Sequence, residues 1–275
     1  MTDQPGRARI ISPVDWGPDL GICKGSGTVR EMVGPSTGAR TRSLYWMELA
    51  EGASTIALKH PDEAVYYVVS GSVRVETTTG TPHHLSEGGM FHVRPATDYT
   101  IVADTDAEVV GGPSPVDPDF GTPAEEFRAE SVGSGPQEVR AFHRDEPGLQ
   151  VPFISRDARL VVWYGADAVA ANMNYVVLEP GERNTEHLHR YSEDTIVILE
   201  GRGTAEDVTN GVKLSFGPRD VVHIPPTIVH AVAADQGERV VSAGGPCPAD
   251  LDMLRAAGVD VDALGAELGL PVNLG

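Results

Sequence analysis

The chain of 275 residues repeats itself, and the repeat limits what it can fold into. Leu44–Gly52 reads LYWMELAEG, and Met173–Gly181 reads MNYVVLEPG, 129 positions later. Tyr67–Gly71 (YVVSG) returns as Val197–Gly201 (VILEG) at an offset of 130, and His92-Val-Arg-Pro95 returns as His223-Ile-Pro-Pro226 at 131. Gly111–Asp117 (GGPSPVD) returns as Gly244–Asp250 (GGPCPAD) at 133. Four matches in the same order, with an offset drifting by a few residues, describe two homologous domains. They span roughly 30–115 and 150–248.

Within each copy the apolar runs are short and rich in β-branched and aromatic residues. Val65–Val69, Val73–Glu76, Ile196–Leu199 and Val221–Ile224 are bounded by Gly or Pro, which number 31 and 21 in the chain. Short strands closely punctuated by turn residues predict an all-β sandwich or barrel. Residues 1–29 are expected to supply an arm or extra strand. Residues 116–149 follow as a connection, rich in Pro, Gly, Ser and acids at its start. In the last stretch, 249–275, Leu251, Met253, Leu254, Val261, Leu264, Leu268 and Leu270 fall at roughly helical spacing, interrupted at Gly258. That predicts one or two short helices capping a barrel or joining two chains.

Charge narrows the partners. With 21 basic and 40 acidic side chains the formal charge is −19, which repels a phosphate backbone and an anionic membrane surface. No apolar run approaches the ~18 residues of a spanning helix. The first residues lack the basic-then-apolar layout of a secretory signal. The two cysteines, Cys23 and Cys247, form no C-x-x-C pair, so the expected setting is a reducing cytoplasm.

The chemistry concentrates between Gly181 and Gly201, GERNTEHLHRYSEDTIVILEG. His187 and His189 are two apart, so on a strand both imidazoles face the same way. The acids Glu193 and Asp194 open the next strand, and His230 follows a Pro-Pro turn in HIPPTIVH. Two histidines, an acid and a third histidine can converge inside a small barrel as ligands for a metal, with coordination positions left open.

These residues resemble the cupin family, whose first motif is G-x5-H-x-H-x3,4-E-x6-G and whose second is G-x5-P-x-G-x2-H. Gly181, His187 and His189 match the opening of the first motif without a gap, and Pro225 and His230 match the second, with Thr227 in place of its Gly and Arg219 in place of its leading Gly. With the duplication, the resemblance implies a bicupin: two tandem jelly-roll barrels with a short C-terminal helical segment. One departure concerns the acid. Six residues before Gly201 stands Asp194, whereas three after His189 comes Glu193. Neighbours on a strand face opposite ways, so one of them reaches the metal; the hairpin glycine as anchor favours Asp194, and Glu193 stays open. The first copy holds Leu58, His60, Ala64 and Tyr99 at the four ligand positions, so its barrel is expected to hold no metal.

One divalent transition metal per chain is therefore expected, Fe or Mn first and Ni, Co or Zn as alternatives. Asn174, by strand parity, and Tyr191 and Arg183, by closeness in sequence, are candidates to orient or hold a small anionic or chelating substrate. Three classes remain open: a non-haem dioxygenase, first; a metal hydrolase somewhat similar to (S)-ureidoglycine aminohydrolase, or an isomerase or lyase; and a binding barrel without catalysis. The hydrolase's ligand set of Glu, His, His and Gln differs from His187-x-His189. Monomer and homodimer are both compatible with an internal duplication.

Overall fold

A computed structural model describes residues 6–78, 80–126 and 138–274. The chain forms two compact units, residues 16–146 and residues 1–15 with 147–275. Each is a β-barrel built of antiparallel sheets.

The first barrel pairs a six-stranded sheet with a five-stranded one. In the larger sheet the order is Val139–His143, Gly89–Val93, Glu63–Ser70, Ala107–Ser114, Leu44–Leu49 and Gly27–Val33. Alternation along these strands sends Val29, Tyr45, Met47, Tyr66, Val68, Phe91 and Val109 into one buried cluster. The second barrel repeats the plan. Its larger sheet runs Arg9–Ile11, Val221–Ile224, Glu193–Glu200, Val240–Cys247, Met173–Leu178, Asp157–Val162 and Leu149–Gln150. Its smaller sheet is made of Val212–Phe216, Gly203–Asp207 and His230–Ala234.

The expected arm over 1–29 divides. Arg9–Ile11 adds to the edge of the second barrel's sheet, with Arg9 opposite His223, while residues 16–29 belong to the first barrel. Residues expected in the connection do the same for the first barrel, where Arg140 lies opposite His92. In both, an exposed edge strand gains a partner. The two additions are equivalent under the repeat: Arg9 Nε donates to His223 Nδ1 at 3.0 Å, and Arg140 Nη2 stands 3.4 Å from His92 Nδ1.

Two glycines fix the hairpins that set strand register. Gly71 and Gly201 have φ of 73° and 80°, and a Cβ on either would lie 2.0 or 2.2 Å from a backbone oxygen of Asp106 or Arg239. With Gly201 in place, the strand Glu193–Glu200 presents Asp194 and Ile196 to the inside of its barrel. The C-terminal segment forms two helices, α1 (Leu251–Ala256) and α2 (Val261–Leu268), parted at Gly258, whose φ is 87°. Leu251, Leu254 and Val261 bury against Val151, Leu160 and Tyr164, so the helices close the second barrel's own apolar cluster. No helix among the described residues is long and apolar enough to cross a membrane.

Candidate metal centre

The second barrel brings His187, His189, Asp194 and His230 together, with one ligand atom of each within 4.8 Å of all the others. His187 and His230 are joined through their backbones, each N–H donating to the other's carbonyl at 3.1 and 2.9 Å. His189 follows two residues later on the same face. Asp194 enters from the strand Glu193–Glu200, opposite Ile224.

The three imidazoles are oriented alike, each through its Nδ1. Nδ1 of His187 donates to Thr185 O at 2.8 Å, Nδ1 of His230 to Ile228 O at 2.9 Å, and Nδ1 of His189 to Asp250 Oδ2 at 2.6 Å. Every Nδ1 is thereby occupied, which leaves each Nε2 for the centre. Nε2 of His189, Nε2 of His230 and Oδ1 of Asp194 are buried without a hydrogen-bond partner. Buried polar atoms of this kind cost stability unless something satisfies them. A divalent cation fits: it accepts three neutral nitrogens and one carboxylate oxygen and satisfies all of these atoms at once.

The electrostatics agree with that donor set. Burial lowers the His187 imidazole to about 4, helped by His230 and His189 beside it, so it is neutral and ready to coordinate. Burial would lower His189 as well, but the carboxylate of Asp194, 3.7 Å from Nε2, and that of Asp250, bonded to Nδ1, outweigh it and hold it up at about 9, so without metal it carries a proton that a cation would displace. Burial opposes the charge on Asp194, yet the imidazoles of His189 and His230, 3.7 and 3.5 Å from Oδ2, hold its carboxyl far below the usual range. Positive charge is thus favoured where a cation would sit.

The cluster opens into a cavity of about 60 Å³. Ile154, Val176, Leu178, Ile196, Val232 and Met253 form its apolar walls. Asn174, Asn184 and Ser242 add polar atoms, and Asn174 Oδ1 is buried without a partner. Asn184 is engaged, accepting from Val232 N at 2.8 Å. Room for Asn174 comes from Gly245, where a Cβ would sit 2.2 Å from Asn174 Nδ2.

Three expected site residues stand elsewhere. Glu193 faces away from the cluster, with Oε1 3.9 Å from His223 Nε2, because it alternates with Asp194. Its repeat equivalent, Glu63, pairs with His92 at 3.3 Å, so a shared outer pair explains the acid in both copies. Arg183 is the outward neighbour of Asn184 and is drawn to Glu186 and Glu206 at 2.9 and 2.8 Å. Tyr191 is 60% exposed, beside the groove formed with the C-terminal tail. Asn172, two residues before Asn174, donates to Pro246 O at 2.8 Å.

One residue escaped the sequence reading. Asp250 binds His189 through one carboxylate oxygen, and the other accepts from Asp252 N and Met253 N to cap helix α1. Its signal lay in the repeat: Asp117, 133 positions earlier, holds His60 Nδ1 at 2.8 Å in the same way.

In the first barrel the centre is replaced by a packed hydrogen-bonded knot. His60 Nε2 meets the Tyr99 hydroxyl at 2.7 Å, and Tyr99 meets Tyr66 at 2.5 Å. Phe120 stacks on both Tyr45 and His60.

The chain matches the cupin domain family twice, over residues 45–110 and 174–242. No curated protein matches it. Among solved structures it is similar to a Lactobacillus farciminis oxalate decarboxylase in complex with formate, at 14% identity and TM-score 0.67, covering 99% of this chain and 95% of that one. It is also similar to the Escherichia coli protein Ylba, at 15% identity and TM-score 0.64, with 88% and 92% covered. A Bacillus subtilis oxalate decarboxylase deletion mutant aligns at 18% identity and TM-score 0.63, with 95% and 84% covered. At these identities the likeness is one of fold. Two family matches, one on each of two barrels related by an internal repeat, make the chain a bicupin, a member of the cupin superfamily with two cupin domains in tandem.

Proposed function

We propose that this chain is a metal-dependent enzyme of the non-haem oxygenase kind, working on a small chelating organic molecule at His187, His189, Asp194 and His230. The observation that carries the reading is the composition of the cavity. Among the described residues that line it, no titratable side chain stands outside the four-residue cluster. With a metal held, all four are engaged, and no acid or base of the protein is left in the lining to move a proton.

Hydrolysis, isomerisation through an enediolate and decarboxylation all require protons to be delivered or removed at the reacting atoms. Oxygenation places lighter demands on the protein: to bind, orient and exclude water. A bound redox-active metal supplies the electron transfer that opens O2 to reaction with an organic molecule. The apolar walls keep the site dry, and Asn174 is placed to orient the substrate by its free amide oxygen. The oxalate decarboxylases similar in fold make decarboxylation of a small acid the alternative.

The test begins with elemental analysis of protein prepared without chelators or a histidine tag, beside His187→Ala. About one redox-active metal per chain, lost in the variant, supports the reading. Oxygen uptake is then measured with catechol, acetylacetone and 2-oxo acids, and metal-dependent consumption of O2 is the expected result. Turnover that proceeds equally without O2 overturns the oxygenase in favour of a lyase or hydrolase. Failure to hold any metal, even after reloading, overturns the enzyme and leaves a binding barrel.

A further inference from the structure

The same cavity also says what kind of molecule it takes. We propose that its ligand is a small chelator with an apolar body and no more than one negative charge, the body seated between Val176, Ile196 and Met253. This deepens the reading above and rests on it for the metal-binding end of the ligand.

The repeat sets the size and chemistry of this space. In the first barrel, Gly111 lies opposite Tyr45 on one neighbouring strand and Tyr66 on the other. In the second barrel, Gly244 lies opposite Asn174 and Ile196 in the same registers. Phe120, stacked 3.7 Å from Tyr45, has Met253 as its equivalent 133 positions on. Two phenol rings and a phenyl ring that fill the first barrel are thus replaced by Asn, Ile and Met in the second. The space released is bounded by hydrocarbon. Apolar atoms of a ligand gain most from entering such space, at about 25 cal/mol per Å² removed from water.

Charge limits the ligand as well. A divalent metal with Asp194 carries a net charge of +1, and Asp250, hydrogen-bonded to His189, offsets it further. No Lys or Arg is among the described residues that line the cavity. A dianion such as oxalate would leave uncompensated charge in a largely buried site, which is expensive. Counting both carboxylates, a dianion leaves two charges uncompensated, a monoanion one and a neutral chelator none. The partnerless Oδ1 of Asn174 adds a preference for a ligand with a hydrogen-bond donor.

Titration calorimetry on Ni(II)-loaded protein tests this with three probes: acetohydroxamate, benzohydroxamate and oxalate. The two hydroxamates share a head and differ in the apolar body. Benzohydroxamate is expected to bind ~10-fold or more tightly than acetohydroxamate, and oxalate weakest of the three. Ile196→Tyr, which restores the first barrel's residue, should remove most of that gain and still hold nickel. Equal affinity of the two hydroxamates, or oxalate binding as tightly as benzohydroxamate, overturns the proposal.

A parallel arm needs no metal. In chelator-treated protein, benzamide should raise the Tm and acetamide should not, with the benzamide effect lost in Ile196→Tyr. If the protein holds no nickel and benzamide still stabilises it, the enzyme reading fails and the apolar seat stands. If benzamide has no effect on the metal-free protein, the apolar seat fails whatever the metal does.

Discussion

His60 Nε2 and the Tyr99 hydroxyl meet at 2.7 Å, while the residues at the same repeat positions in the second barrel, His189 and His230, hold their ring centroids 5.4 Å apart. The first pair satisfies itself. The second leaves both Nε2 atoms facing a shared centre without a partner. One scaffold thus carries a closed polar knot and an open donor set, and the difference lies in single substitutions at matched positions.

His60→Ala should leave metal content unchanged and destabilise the protein. It strips partners from Tyr99 and Asp117, both buried, and a loss of about 2–4 kcal/mol is expected in denaturant unfolding. Loss of metal in this variant would contradict a single centre in the second barrel.

Asp194→Asn and Glu193→Gln should behave oppositely although they are neighbours. Asp194 supplies an oxygen to the cluster, so the amide should weaken metal retention by at least ~10-fold in competition with a chelator. Glu193 points to His223, so Glu193→Gln should keep the metal at wild-type stoichiometry.

Asp250 separates positioning from capping. Asp250→Ser retains a good helix cap but does not reach His189, and metal affinity should fall ~10- to 100-fold with the metal-free Tm nearly unchanged. Asp250→Ala should show the same loss of affinity and lower the metal-free stability by about a further 1 kcal/mol.

His223 predicts an acid limb in stability. Burial lowers it to about 4 from an ordinary 6.5, with Arg9 adding to the shift. Its depressed value means the unfolded chain takes up the proton first. The stability it contributes is complete above about pH 6.5 and is lost as pH falls towards 4, on the order of 2 kcal/mol by pH 5. His223→Gln, which still accepts from Arg9, should flatten that part of a pH–stability profile measured on metal-free protein.

Much of this was legible in the sequence because it is local or repeated. The strands over Val65–Val69 and Ile196–Leu199 were marked by β-branched runs and glycines and are found at Glu63–Ser70 and Glu193–Glu200. Strand parity with Gly201 as anchor favoured Asp194 over Glu193, and the structure places Asp194 in the cluster. What escaped was non-local. An arm or extra strand was expected within 1–29, but the partner of Arg9–Ile11 was not, because it lies more than two hundred residues away. Arg183 and Tyr191 were singled out by closeness along the chain, which carries no weight when neighbouring residues point to opposite faces. Asp250 was noted only as the end of a repeat match, and the contact with His189, sixty-one residues away along the chain, shows only in the structure.

That double engagement has a consequence for how the molecule moves. One carboxylate fastens an imidazole of the centre with one oxygen and the first turn of α1 with the other. Fraying of α1 and loosening of His189 are then a single event. A cation that immobilises His189 draws the tail into the same cooperative unit, and amide exchange at the start of α1 becomes a reporter of occupancy.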